Sequence, residues 1–479
     1  MHPATVSLSL DRTGGDSLVS QLVEQLRERV LRGELAAGEP LLSSRALAQE
    51  LGVSRSVVVR AYEQLNGEGY LEAMPGAATT VAQGIVAAPA RVKPARARAA
   101  APAQHSPEAP SGTAIDLRTG YPFVPSTPPE DWRRALAAAA REPLRSAAPP
   151  ALGDPLLREQ IALHARRSRG VNCGASDVIV TAGTVDALLL IALALGRNVL
   201  GRDARWGMED PGYAEAAQIL RLAGAEVHPV RVSEQAFQMS DLSASKFDPS
   251  TLDAMLVTPS HQFPLGGLMP AAERTALVTW ASERNVLIVE DDYDSEFRHM
   301  GAALPAIAAL DPGGTVVHIG SLNKSFSPSL RCGYVISTAG SEVWQALIQA
   351  KEVLGGSLPL AVQVATAKFF ESGGFRRYVA RARREYRHRR SLLIETLAAQ
   401  GLAANLTGLD GGLHAILRMP AGRTGTEVAA ALAARDVLVE AIAEFTQLDR
   451  ADDAIAIGYG AEPVTRLTRG LEEVVRVVG

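Results

Sequence analysis

The chain is short of cysteine. Cys173 and Cys332 are the two among 479 residues, too few for a disulfide framework or a cysteine-rich zinc site. No uninterrupted apolar run reaches about 18 residues, which argues against a membrane-spanning helix. The opening residues, MHPATVSLSLDRTGGD, lack the basic-then-apolar pattern of a secretory signal. Neither charge is in large excess: 48 Lys and Arg stand against 52 Asp and Glu, a net charge of −4. That balance excludes a uniformly basic, histone-like protein but not a small nucleic-acid module within a larger whole. With 47% hydrophobic and 21% charged residues, the chain has the apolar content for packed cores and is not disordered throughout. A soluble, cytoplasmic protein with no membrane partner is the expectation.

Length alone suggests about three domains, or fewer if one large α/β unit takes up two of them. Composition places the divisions. Residues 83–113 are rich in alanine and proline, lack aromatic residues and carry Arg91, Lys93, Arg96 and Arg98. Such a stretch buries too little apolar surface to offset the entropy of ordering it, and its prolines make it an extended spacer of roughly 90 Å at full polyproline extension. It reads as a linker between a small domain, residues 16–82, and a large one, residues 114–479.

In the small domain, Leu22, Leu26 and Val30 recur every four residues, an amphipathic helix ending at Gly33. Ser43 or Ser44 can cap a helix through Leu51, with Gly52 supplying the tight turn. Ser54 can cap a second helix that buries Val58, Ala61 and Leu65. Two short helices joined by a glycine turn make a helix-turn-helix. The first residues of its second helix normally enter the major groove; here they are Ser54, Arg55, Ser56 and Val57, with Arg60 one turn on and Arg45 on the preceding helix. Tyr70–Glu72 and Thr79–Val81, separated by Met74-Pro75-Gly76, read as a two-stranded wing. Six arginines against nine acids between Asp16 and Val81 give a net charge of −3, so any DNA contact rests on where the arginines lie rather than on their sum.

The large domain alternates short β-rich runs (ASDVIVTAG, AEVHPV, AMLVTPS, NVLIVED, GTVVHIGS) with helical stretches such as Val185–Leu195 and Ala271–Arg284, the pattern of a mostly parallel sheet covered by helices. Four features carry chemistry. Lys324, in HIGSLNKSFSPSLRCGY, follows a β-run and sits near Arg331; a desolvated, cation-flanked lysine gives up its proton readily and becomes a nucleophile for an aldehyde. Asp291, in VLIVEDDYDSEF, ends an apolar strand where parallel-sheet ligands bind and can pair with a protonated pyridine nitrogen; Tyr293 can bond a ring hydroxyl. Gly183 and Thr184, in TAGTVDALLL, open a helix whose free amides suit an anion, with Ser321 and Arg331 completing a phosphate cup. Tyr213, after a Pro-Gly turn in EDPGY, can stack on a planar ring. Taken singly, a surface lysine, a capping acid, a glycine turn and a core tyrosine are the commoner readings; together they are the parts of a pyridoxal phosphate site.

Resemblance sharpens this. The segment RGELAAGEPLLSSRALAQELGVSRSVVVRAYEQLNGEGYLEAMPG resembles the winged helix-turn-helix of the GntR superfamily of bacterial transcription regulators. Residues 114–479 resemble fold-type I, aminotransferase-class enzymes. The series VTPSHQFPLGGLMP, EDDYDSEF and SLNKSFSPSLRCGY behind such a head resembles the MocR type of regulator. The resemblance implies an α/β fold, with a winged helix-turn-helix ahead of a pyridoxal-phosphate-binding domain built on a mostly parallel sheet. It implies Lys324 as the imine-forming lysine, Asp291 as the pyridinium partner, Tyr293 as the ring-hydroxyl partner and Tyr213 as the stacking ring. Ser321, Arg331 and the amides of Gly183 and Thr184 would take the phosphate, and His261 or Gln262 would approach the ring. It further implies double-stranded DNA and a small amine or amino acid as partners, and a head-to-tail homodimer.

Departures from the family pattern are informative. Val185-Asp186 stand in the phosphate turn in place of the usual glutamine pair, bringing a negative charge; Asn323 replaces a common serine; Leu42 replaces a common proline; the wing reads GAATT where GSGTF is typical. Ala148 stands where such folds place a tyrosine that reaches the partner subunit, and near the C-terminus Arg450 is the available carboxylate-binding arginine. Weak cofactor affinity and vestigial transamination are therefore expected. The leading reading is a DNA-binding regulator responsive to pyridoxal phosphate or its amino-compound adduct; the alternative is an active aminotransferase carrying a helix-turn-helix appendage.

Overall fold

The computed structural model describes residues 8–12, 16–73, 78–83, 114–143, 146–196, 200–300, 304–311, 313–356, 358–448 and 453–479. The chain forms two compact units, Met1–Pro107 and Glu108–Gly479. The segment read as a linker, apart from Gln83, the wing tip Met74-Pro75-Gly76, and Arg450 lie outside the described residues.

Among the described residues, the first unit holds three helices and a two-stranded ribbon: α1 (Leu18–Leu31), α2 (Ser44–Leu51), α3 (Arg55–Gly67), and antiparallel β1 (Leu71–Glu72) and β2 (Thr80–Val81). The four-residue spacing on α1 buries Leu22, Leu26 and Val30, which pack with Leu47, Val58, Ala61 and Leu65 in one apolar cluster. Ser43 caps α2, its hydroxyl accepting from the Ala46 N–H at 3.2 Å. Gly52 ends α2 in the left-handed region at φ +65°, a conformation that a Cβ would penalise. Ser54 precedes α3, but its hydroxyl meets the Ser56 hydroxyl at 2.8 Å instead of capping the helix.

The second unit opens with the short strand β3 (Ile115–Asp116) and the helix α4 (Glu130–Ala139) and is built on a seven-stranded sheet. Its strands are β4 (Val178–Thr181), β5 (Arg205–Asp210), β6 (Glu226–Arg231), β7 (Ala254–Val257), β8 (Leu287–Asp292), β9 (Val316–Ser321) and β10 (Gly333–Ile336), hydrogen-bonded in the order β4-β10-β9-β8-β7-β5-β6. All run parallel except β10, which is antiparallel to both neighbours. Along β8, Leu287 and Val289 join one apolar cluster and Ile288 another, so the sheet is buried on both faces, as parallel sheets require. A second, four-stranded antiparallel sheet follows the helix Gly374–Ala398. The five β-rich runs found in the sequence are β4 and β6 to β9. RWGMED, which forms β5, is not legible as a strand because its Arg, Gly, Glu and Asp carry neither alternation nor β-branched residues; its two acidic side chains, Glu209 and Asp210, are buried.

Candidate functional site

Parallel strands gather their C-terminal ends on one edge of the sheet, and ligands of such folds bind there. Here that edge collects Asp291 from β8, Ser321 from β9 and the turn after β4. Ser321 caps the short helix Leu322–Ser325, its hydroxyl accepting from the Asn323 N–H at 3.2 Å, and so fixes the direction in which Lys324 leaves the sheet. Lys324 Nζ donates to the carbonyl of Gly120. Gly120 sits at φ +79° with its missing Cβ facing that amine, so a side chain there would displace the lysine. Burial pulls the Lys324 ammonium below its ordinary value, against the opposing pull of Asp291 and Asp294. A lysine held this way reaches its neutral, nucleophilic form more easily than one on the surface.

Asp291 is buried, and within the described residues its side chain's hydrogen-bond partner is the Thr184 hydroxyl, at 3.5 Å. Burial, with the neighbouring Asp292 and Asp294, pushes its carboxyl up to about 7, against the pull of His318 and Lys324. A buried carboxyl this weakly partnered accommodates a cation at the same place, since a positive group would restore its ordinary acidity. Tyr293, two residues on, donates to the carbonyl of His261 at 2.9 Å and lies 2.9 Å from His261 Nδ1. That nitrogen also lies 2.9 Å from the Asp294 carboxylate. Burial disfavours the imidazolium of His261, but Asp294 outweighs it and the ring's pKa is raised. Among the described residues, His261 Nε2 is buried without a hydrogen-bond partner. Gln262 faces elsewhere: its amide nitrogen donates to the carbonyls of Pro211 and Phe263, and its oxygen accepts from the Leu265 N–H.

The glycine turn lies beside the lysine helix. Gly183 adopts φ +111° and precedes α6 (Thr184–Ala194), leaving the first-turn amides of α6 without intrahelical partners. A Cβ on Gly183 would come within 2.3 Å of Asn323 Nδ2, while Asn323 Oδ1 accepts from the Cys332 N–H at 3.1 Å. Asn323 therefore ties the glycine turn, the lysine helix and β10 together. The negative charge brought by Asp186 is turned away from a ligand: its carboxylate accepts from the Ala182 N–H at 2.9 Å and pairs with the buried ammonium of Lys351 at 3.6 Å. Arg331 is exposed and left-handed at φ +50°, and its charge is felt by Tyr213. Tyr213 immediately precedes the helix Ala214–Leu222, with its ring edge-on to Phe263 at 6.2 Å.

Sequence reading missed several members of this edge. Gly120 left no local signal, because its partner is 204 residues away. Asp294 was visible as one more acid in EDDYDSEF, but nothing in its spacing separated it from a helix cap. A buried ion cluster beneath Asp291 was also missed. There Arg169 pairs with Asp292 at 2.6 Å and His318 Nδ1 lies 3.0 Å from Glu290, and these contacts hold β8 and β9 to the end of α5 (Pro155–Arg169).

Asp291 also sets a pH dependence. A carboxyl whose folded value exceeds its unfolded one holds more protons when folded, so stability falls as pH climbs from about 4 to about 7. Asp291→Asn is expected to raise the stability of the cofactor-free protein at pH 8 by up to about 4 kcal/mol, with little change at pH 4, while weakening cofactor binding. Urea unfolding at the two pH values, beside a cofactor titration, checks both halves.

In the first unit, the two arginines of α1 and the one that follows it are neutralised: Arg27 by Glu24 and Glu68, Arg29 by Glu34, Arg32 by Glu28. The three on the helix-turn-helix are not. Arg45, Arg55 and Arg60 are exposed without an acidic partner among the described residues, and Arg55 Nε donates to the Ser44 hydroxyl at 3.3 Å. Between Asp16 and Gln83, the positive charge without an acidic partner among the described residues thus lies on the two helices that a helix-turn-helix presents to a duplex.

A winged helix ahead of a large α/β domain defines a helix-turn-helix transcription regulator fused to an aminotransferase-type fold. Comparison with known proteins supports both parts. Residues 113–457 match the aminotransferase class I and II family, and residues 18–81 match the gntR family of bacterial regulatory proteins. The chain belongs to the MocR/PdxR family of helix-turn-helix transcription regulators. It is 35% identical over 473 residues, 98% of each chain, to the HTH-type pyridoxine biosynthesis transcriptional regulator PdxR of Corynebacterium glutamicum. It is 34% identical to the probable rhizopine catabolism regulatory protein MocR of Rhizobium meliloti, covering 86% of this chain and 83% of that one. An archaeal alanine:glyoxylate aminotransferase shares the fold of the large domain, with a TM-score of 0.68 over 76% of this chain and 90% of that one at 22% identity.

Proposed function

We propose that this regulator senses pyridoxal 5'-phosphate, or the product of its reaction with an amine or amino acid, in its large domain, and that occupancy changes its affinity for DNA. The observation that carries this reading is the placement, at one sheet edge, of a half-buried lysine amine resting on the Gly120 carbonyl and a buried carboxyl lifted to about 7. The cofactor supplies an aldehyde that bonds covalently to an amine and a pyridine ring that draws electrons from it. Lys324 would provide the amine, Asp291 would hold the ring proton, and Tyr293 with His261 would bound the ring's hydroxyl side. The Gly183–Thr184 amides with Ser321 and Arg331 would hold the phosphate, and Tyr213 would cover a ring face. Arg45, Ser54, Arg55, Ser56 and Arg60 would contact the duplex. The 35% identical relative whose name places it in pyridoxine biosynthesis favours a vitamin-related signal.

Linkage supplies the mechanism: a ligand that binds one arrangement of the protein better than another shifts the population, and DNA affinity with it. The protein is expected to act as a cytoplasmic homodimer, the assembly that gives a winged helix two half-sites. The regulator and enzyme readings separate in one pair of assays on the same preparation. Fluorescence anisotropy on the DNA upstream of its own gene is expected to show specific binding, while keto-acid release from amino donors stays at background. Sustained amino transfer without specific DNA binding would favour the enzyme.

A further inference from the structure

The helix Gly374–Ala398 has the sequence GFRRYVARARREYRHRRSLLIETLA. It carries eight arginines and two glutamates in 25 residues. One side of it is core: Phe375, Tyr378, Ala382, Tyr386 and Leu393 are buried. The opposite side presents Arg376, Arg377, Arg381, Arg383, Arg384, Arg387 and His388, all exposed. Two of these are neutralised, Arg377 by Asp131 and Arg383 by Glu296. Arg376, Arg381, Arg384 and Arg387 have no acidic partner among the described residues. At 1.5 Å of rise per residue, the four spread over about 16 Å of the helix's exposed side. Arg167, near the end of α5, lines one groove with Arg376 and Arg383, so the basic face widens beyond the helix.

Such a stripe costs self-repulsion in the free protein, and nothing in the candidate cofactor site uses it. The winged-helix unit, by contrast, is poor in what a DNA-binding protein needs for general attraction, with six arginines against nine acids between Asp16 and Val81. Affinity for duplex DNA comes largely from cations that displace counterions from phosphates, and this helix holds a concentration of them. Guanidinium groups also suit phosphate geometry better than ammonium groups do. The roughly 30 residues between Gln83 and Ala114 can span up to about 100 Å, enough for the two units to engage one duplex at separate places.

We propose that the exposed arginine stripe of the helix Gly374–Ala398 is a second, sequence-independent DNA-binding site that grips the phosphate backbone beside the segment read by the winged helix. The partner is double-stranded DNA, recognised through its charge, and the large domain is thereby part of the DNA-binding surface as well as the sensor.

The test uses the full chain carrying R376Q/R381Q/R384Q/R387Q and, as its charge-preserving counterpart, the same four positions changed to lysine. Anisotropy titrations at several salt concentrations are run on an upstream fragment with long flanks and on one trimmed to the winged-helix site. Because each phosphate contact contributes about 0.9 to the slope of log K against log salt, the glutamine variant is expected to flatten the slope on the long fragment by about two to four. It should leave the trimmed fragment nearly unchanged, and the lysine variant should keep most of the slope. R133Q/R134Q, at two exposed arginines that pair with Glu130, should alter neither. An unchanged slope on the long fragment, in a glutamine variant with native circular dichroism, would overturn the proposal while leaving the regulator reading intact. Equal loss on both fragments would also overturn it. Absence of DNA binding by the unaltered protein would instead sink the regulator reading itself.

Discussion

Lys324→Ala is expected to uncouple DNA affinity from the cofactor. In the unaltered protein, adding pyridoxal phosphate should change affinity for the upstream DNA by the five- to 150-fold range typical of about 1–3 kcal/mol of coupling; in the variant the change should fall below about twofold. The expectation follows from how the amine is held. Lys324 leaves a helix whose first turn is fixed by Ser321, and its Nζ rests on one backbone carbonyl, that of Gly120. Removing it takes away the nucleophile without disturbing a core side chain, so the winged helix should bind its duplex as before. A variant that still responds in full would mean that the ligand acts through non-covalent contacts alone.

The second large effect lies in the other unit. Arg55→Ala should reduce discrimination between cognate and random duplex by about 1–3 kcal/mol if the guanidinium reads a base edge. In the free protein Arg55 is tethered weakly, by one 3.3 Å hydrogen bond to Ser44, and engaging a base would exchange that bond for a stronger bidentate one. Competition titrations with specific and random DNA check this. Loss of affinity equal on both duplexes would make Arg55 a phosphate contact, and no loss would remove it from the interface.

What was legible in the sequence was what local pattern controls. The four-residue spacing of Leu22, Leu26 and Val30, the caps at Ser43 and Gly52, and the β-rich runs ending in Asp291 and Ser321 depend on neighbours along the chain, and each lies where periodicity placed it. What was not legible depends on partners far apart. β5 is a strand because its neighbours β6 and β7 pair with it. Asp186 looked like a charge aimed at a phosphate, yet Lys351, 165 residues on, draws it away. His261 and Gln262 are adjacent in sequence, and the fold separates them: one ring lies against Tyr293 and Asp294, while the other side chain knits the turn around Pro211.

The central claim is covalent, so the most direct measurement is too. The unaltered protein is incubated with pyridoxal phosphate, reduced with borohydride, digested and sequenced by mass spectrometry. The account predicts one stoichiometric phosphopyridoxyl group, on Lys324. Absence of label there with excess cofactor, or label spread over surface lysines such as Lys246 and Lys368, would contradict it.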